Sequence, residues 1–254
     1  MNDYPKRING IEVPYQKDIS ELKSMLEDKM PCFTVACIAL AHKNDIDSLN
    51  ILAELLSNKD WCKRRVAVEA LGYHQMGHLL SERLIKLLDD ESEYVVVETL
   101  WTIAIHVIDM PHNKVLGLIN SSSEKIRQQA VVTLIGIGNK EDFDLITRVF
   151  LNDKSKHVKD KAARFIRECA NANNWEKSVS LLKRSTLARH RVWACELIDI
   201  YGNDDELEIL KEFLSDKDGH VRKKANRIIN KKSYLSLLEN RSKLKKGDTE
   251  MVPF

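Results

Sequence analysis

Three histidines raise the question of chemistry first. His42, His74 and His106 follow one another at intervals of 32 residues, and His78 stands four beyond His74. Stacked imidazoles could ligate a transition metal through their ring nitrogens, while a histidine near a helix carboxyl end is also favoured by the helix dipole alone. A second column is cationic. Arg64, Arg127, Lys159, Arg191 and Arg222 recur at close to that interval or twice it, with Phe33 and Val96 in the two remaining places. Such a column could track a nucleic-acid backbone, one charge per step. The favoured reading is a ladder in which each cation bonds turn carboxylates and carbonyls of its own or a neighbouring repeat, as Asp153 before Lys159 and Asp216 before Arg222 suggest. There is no phosphate-binding glycine loop, dinucleotide fingerprint or nucleophile elbow. Cys195 reads as packing rather than as a nucleophile. No catalytic residue, metal or cofactor is expected.

The elements that must position these columns are legible as a repeat. Ala36, Ala67, Ala130, Ala162, Ala194 and Ala225 mark one register, Thr99 fills the remaining slot, and the intervals are all 31 or 32. A period of this size means a solenoid of stacked units. Upstream of each mark from the second on lies an apolar pair: Leu55-Leu56, Leu87-Leu88, Leu118-Ile119, Phe150-Leu151, Leu181-Leu182 or Phe213-Leu214. A short polar turn such as "SDKDG" follows, so each unit reads helix, turn, helix. Counted from the alanine, positions −4, 0 and +4 share one helix face, and +4 holds Leu40, Leu71, Ile103, Leu134, Ile166, Ile198 and Ile229. That stripe is the expected core, and the small residue at 0 lets paired helices approach closely.

The fold class is therefore all-α, an α-solenoid of about seven helix pairs. The expected organisation is an N-terminal arm over 1–18, repeats over 19–232 beginning with a helix near Ile19–Lys29, and a capping helix with a basic tail over 233–254. The net charge of +2 over 254 residues conceals an asymmetry. Between Lys217 and Lys246, eight lysines and three arginines face only Asp218 and Glu239, an excess of nine positive charges that suits phosphates or an acidic protein. Five cysteines without a C-x-x-C pair argue against a disulfide framework. With no signal-like N-terminus and no apolar run long enough to span a bilayer, a cytoplasmic location is expected.

The repeat resembles HEAT repeats, in the short form of the phycobilisome-lyase-like group, over roughly Ile19 to Lys232. The residues that carry the likeness are an Asp or Asn in the turn followed by Val-Arg-x-x-Ala: Asp216 with "VRKKA", Asp153 with "VKDKA" and Asn58 with "KRRVA". The resemblance implies a right-handed superhelix serving as scaffold or adaptor, with a bilin-lyase-like enzyme or chaperone subunit as a further alternative. Deoxyhypusine hydroxylases, a HEAT-repeat family, hold two irons with His-Glu pairs. Here Lys43, Gln75 and Val107 follow the histidines, so that motif is absent. The tryptophan-aspartate cluster of HEAT-like DNA glycosylases has no match either, since Asp109 lies eight residues beyond Trp101.

The surface opposite the core is the most informative. Positions −2, +2 and +5 fall roughly 140° to 200° round the helix from the alanine, on what the resemblance makes the concave side. In the third and fourth repeats they hold Val97, Trp101, Ala104, Gln128, Val132 and Ile135; in the later ones they return to charge. An apolar patch with a tryptophan is a binding-site signature, although the N-terminal arm, with Pro5, Pro14 and Tyr15, could fill the groove as extended chain. The expected function is a non-catalytic interaction scaffold holding a protein or peptide. Val97, Trp101, Val132 and Ile135 supply apolar contact, and Arg64, Glu69, Arg164, Arg167 and Arg227 a charged rim. The alternative is nucleic-acid binding through Lys159, Arg164, Arg167, Lys223, Arg227 and the basic tail.

Overall fold

The computed structural model describes residues 4–106, 112–137, 142–203 and 207–232, so the expected capping helix and basic tail, and Asp109, lie outside the described residues. Helices α1 (Ile19–Met25), α3 (Ile46–Leu55), α5 (Ser81–Lys86), α7 (His112–Leu118), α9 (Phe143–Asn152), α11 (Trp175–Lys183) and α13 (Leu207–Phe213) are the upstream members of the pairs. The alanine-marked members are α2 (Cys32–Lys43), α4 (Trp61–Tyr73), α6 (Glu93–His106), α8 (Glu124–Ile137), α10 (Lys156–Glu168), α12 (Ala188–Tyr201) and α14 (219–232). The chain is an all-α solenoid of helix pairs. It divides into two compact units, Met1–Lys161 and Ala162–Phe254, with the division inside α10.

Every register residue is fully buried, from Ala36 to Ala225. Thr99 fits the alanine slot because its hydroxyl donates back to the Val95 carbonyl at 2.7 Å. Position +4 is buried in the first six repeats and half-buried at Ile229. Position −4 departs from the expected stripe at Cys32 and Lys63, which are half-buried, and the Lys63 ammonium donates to the Leu26 carbonyl at 3.1 Å. Of each upstream apolar pair one member enters the core: Leu56, Leu88, Ile119, Phe150, Leu182 and Phe213. Leu151 and Leu214 point to solvent. The first helix ends at Met25, four residues earlier than expected.

The cationic column is a ladder, and its strongest bonds run between repeats. Arg64, Arg127 and Arg191 each reach forward to the turn aspartate of the next repeat. Arg64 grips Asp90 through Nε and Nη2 (2.8 and 2.9 Å) while its Nη1 donates to the Asn58 and Lys59 carbonyls (2.8 and 3.1 Å). Arg127 repeats this on Asp153 (2.9 and 3.1 Å) and the Ser121 and Ser122 carbonyls. Arg191 does so on Asp216 (2.6 and 2.8 Å) and the Ser185 and Thr186 carbonyls. Each aspartate also accepts an amide two residues on: Ser92, Ser155 and Asp218. The remaining members serve their own repeat, Lys159 donating to the Leu151 carbonyl and Arg222 to that of Asp216.

The histidine column divides among separate contacts. His42 lies against the Tyr4 and Tyr15 rings at 4.8 and 4.6 Å. His106 donates to the Leu71 carbonyl at 2.7 Å. His74 is fully buried, accepting the Met76 amide on Nδ1 (3.1 Å) and facing Ser48 Oγ with Nε2 (3.2 Å). Ser48 Oγ donates to the Asp45 carbonyl, so it accepts from Nε2–H and fixes the neutral tautomer. The N-terminal arm is a hairpin rather than extended chain. Arg7–Ile8 pairs antiparallel with Ile11–Glu12 across Asn9 and Gly10, both at positive φ (50° and 81°), as a two-residue hairpin turn requires.

Two predictions follow from these contacts. Asp153→Ala leaves a buried guanidinium half-bonded and is expected to destabilise the chain by about 3 kcal/mol or more in urea unfolding. Joining it to Arg127→Val, as Asp153→Ser with Arg127→Val, reproduces the Val96/Ser121 pairing found one repeat earlier and is expected to recover most of the loss. Burial holds the His74 imidazole below its ordinary pKa, outweighing the opposing pull of Asp45. The unfolded chain then binds the proton first as pH falls below about 6.5, so this contribution to stability is complete above that value and is lost as pH drops through the folded pKa. The stability measured from pH 8 to 5 is expected to fall less steeply in His74→Gln than in the parent.

Candidate functional site

Within the first unit, α4, α6 and α8 lie side by side. Thr102 Oγ1 donates to the Val68 carbonyl (3.0 Å) and Thr133 Oγ1 to that of Leu100 (3.1 Å), which sets their spacing. The face they turn away from the core carries Val97, Trp101, Val132 and Ile135, all half-buried, with Ile105 exposed beside them. Gly72 explains how the tryptophan fits: a Cβ there would stand 2.5 Å from Trp101 Cζ3, so the indole packs against α4 where no side chain stands. Tyr73 lies 6.1 Å from the indole, at 59°. Trp101 is thus partly a packing residue and partly open.

Charge at the margin is uneven. Arg65 Nη1 contacts Glu69 at 3.2 Å and Glu98 at 3.1 Å, so one guanidinium nitrogen serves two carboxylates. Burial, and then the charge of Glu69, push the Glu98 carboxyl above its usual range against the pull of Arg65. The Tyr73 phenol is raised by burial first, then by Glu69 and Glu98, which places both carboxylates within its electrostatic reach. On the other side of Tyr73 sits the arm: Tyr4 OH donates to the Tyr73 carbonyl at 2.9 Å, and the two rings are 5.8 Å apart.

Arg64 does not belong to this rim. It is 8 % exposed and its donors are spent in the ladder, a correction to the expectation that it faces a partner. Glu69 is half-buried and paired with Arg65. In the second unit, Arg164 pairs with Glu168 (2.7 Å) along its own helix, and Arg167 reaches Glu196 (3.0 Å) with its guanidinium carbon 5.4 Å from the Trp193 ring centre. Lys224 takes the other oxygen of Glu196 (2.7 Å) and Lys231 binds Asp199 (3.3 Å). Arg227 and Lys223 are exposed, and Arg227 lines a shallow cleft with Asp199, Lys224, Ile228 and Lys231. Among the described residues no three His, Cys, Asp or Glu side chains converge as a metal would need. Cys195 is fully buried, and burial pushes its thiol up to about 12.

Sequence reasoning passed over Arg65's double engagement, Glu98 and Tyr73, because they stand at −2, −1 and +6, and only the first was counted on the open face. It also missed a second aromatic feature, at the start of the marked helices. Trp61 and Tyr94 stack at 5.1 Å and 19°, both partly exposed, with the Lys125 ammonium 4.1 Å over Tyr94 and bound to Glu93. Their spacing near one repeat was the available signal.

No family model and no curated protein matches the chain in sequence. Solved structures do match in shape. An E. coli protein, YibA, aligns with a TM-score of 0.64 at 16 % identity over 89 % of this chain and 86 % of its own. An archaeal HEAT-like repeats protein from Thermococcus onnurineus NA1 aligns with 0.55 at 15 %, over 83 % and 95 %. The complex of CpcE and CpcF of phycocyanin lyase from Nostoc sp. PCC7120 gives 0.52 at 15 %, over 91 % and 98 %. At such identities the likeness speaks for the fold alone: the chain folds as a HEAT-like α-solenoid.

Proposed function

We propose that this chain is a non-catalytic interaction module whose first unit holds an extended segment of a protein partner across α4, α6 and α8. The observation that carries this reading is the partly open row of Val97, Trp101, Val132 and Ile135 on adjacent helices, at positions where the second unit carries charge except at Val192 and Asn230. Apolar side chains presented in a row suit a partner backbone laid across the helices, with a tryptophan as the anchor. Glu69 forms part of the polar rim.

Nucleic-acid binding by the second unit is the weaker reading. Arg164, Arg167, Lys224 and Lys231 are each committed to a carboxylate, and Glu168, Glu196 and Asp199 would face an incoming phosphate. Arg227 and Lys223 remain for such contacts. No helix among the described residues is long and apolar enough to cross a membrane.

Selection of short linear peptides on the purified chain tests the proposal. The peptides obtained are expected to carry apolar residues and to lose roughly tenfold or more in affinity with Val132→Lys, a change that leaves the packing of Trp101 on Gly72 intact. Peptides indifferent to Val132→Lys but weakened by Arg227→Glu would move the site to the second unit and end this reading.

A further inference from the structure

The apolar row does not stand alone, because the two carboxylates beside it are short of positive charge. Glu69 and Glu98 converge on one nitrogen of Arg65, at 3.2 and 3.1 Å. The clamp at Arg127 sets the contrast: there the guanidinium meets one aspartate through two nitrogens, and its third nitrogen meets two carbonyls. A carboxylate pair sharing one guanidinium retains a net negative charge, on side chains that are 29 % and 19 % exposed. Two aromatic residues share these helix faces: Tyr73 stands four residues from Glu69 on α4 and Trp101 three from Glu98 on α6, with the two rings 6.1 Å apart. Carboxylates beside aromatic rings attract an organic cation through both charge and ring quadrupole.

Helix geometry fixes where such a cation sits relative to the apolar contacts. Glu69 stands on α4, Glu98 and Trp101 on α6 and Val132 on α8, so a segment crossing these helices passes from the carboxylates to the apolar contact over one interaxial spacing, roughly 8–10 Å. In an extended peptide, side chains two residues apart point the same way and stand about 7 Å from one another. The flexible stem of a lysine or arginine spans the difference.

We propose that the partner segment carries a lysine or arginine two residues from an apolar side chain, its cation docking on Glu69 and Glu98 beside Tyr73 while the apolar side chain meets Trp101 and Val132. This rests on the reading of the first unit's open face as the partner site. The arm is a positioning element here, since Tyr4 holds Tyr73 through its hydroxyl and its ring.

Three synthetic peptides that differ at one position, Lys-x-Leu, Gln-x-Leu and Glu-x-Leu in a Gly/Ser frame, separate the two claims. The lysine peptide is expected to bind the parent chain roughly tenfold tighter than the glutamine peptide, and the glutamate peptide more weakly still, with the gap narrowing as salt rises. In Glu98→Gln the lysine advantage is expected to collapse while the glutamine peptide binds as before. Because Glu98→Gln relieves a crowded carboxylate pair, its melting temperature is expected to equal or exceed the parent's, which rules out unfolding as the cause. Equal binding of all three peptides, abolished by Val132→Lys, would overturn the charge assignment and leave the apolar site standing. Failure of all three, or binding untouched by Val132→Lys, would overturn both. Tighter binding of the glutamate peptide would assign the face to an acidic partner instead.

Discussion

The arrangement depends on one electrostatic constraint: a guanidinium buried between repeats must find a carboxylate in the next turn. At position −9 from the alanine mark the chain carries Asn58, Asp90, Ser121, Asp153, Ser185 and Asp216. At position −3 of the repeat before each of these it carries Phe33, Arg64, Val96, Arg127, Lys159 and Arg191. Asparagine or serine stands wherever the preceding residue is not arginine, and aspartate wherever it is. The logic is desolvation. A carboxylate among buried carbonyls and no cation would be expensive, and an arginine facing a serine would be more so. Burial raises the Asp153 carboxyl, yet Arg127 and the Ser155 amide together hold its pKa below the ordinary value. Net stabilisation from such a pair is modest, but mismatch is costly, so the clamp sets which turn can sit against which arginine.

That constraint also explains what is left for binding. Position −3 and the turn are consumed by assembly and the alanine and +4 positions by the core, which leaves the far face of the marked helices open. In the first unit α6 and α8 place Val97, Trp101, Val132 and Ile135 there, and Gly72 makes room for the indole. In the second unit Arg167, Glu196 and Asp199 stand at the corresponding positions and are knitted by ion pairs from helix to helix, Arg167 to Glu196 to Lys224 and Asp199 to Lys231. Exposed pairs of this kind contribute little to stability, and their regular crossing of helix boundaries makes that surface self-satisfied.

Much of this was legible in the sequence, and the reason is the alanine. A small residue recurring every 31 or 32 positions has no local cause; only repeated close approach of helices requires it. Arg64 was misplaced on the rim because residue type alone does not separate a buried cation from an exposed one: both are arginines on a helix. Reading −3 together with −9 of the following repeat would have separated them. The arm's prolines suit extended chain, one alternative for filling the groove, but Asn9-Gly10 between Ile8 and Ile11 is a strong hairpin signal. Glu98 and Tyr73 could not be ranked from sequence, since their weight comes from sharing Arg65 and flanking Trp101, which are facts of neighbouring helices.

The same guanidinium chemistry therefore appears twice with opposite results. In the clamp a guanidinium meets one carboxylate in two-point geometry, with backbone carbonyls completing its shell, so nothing is left for a ligand. At the open face a single nitrogen is divided between Glu69 and Glu98. Had stability alone shaped that corner, a glutamine at 98 would have served it better, sparing the burial of a second charge beside the first. A chain that matches aspartate to arginine at three junctions, and puts asparagine or serine in the turn at the others, has the means to balance charge. Its failure to do so beside Trp101 makes sense if the missing cation arrives with the partner.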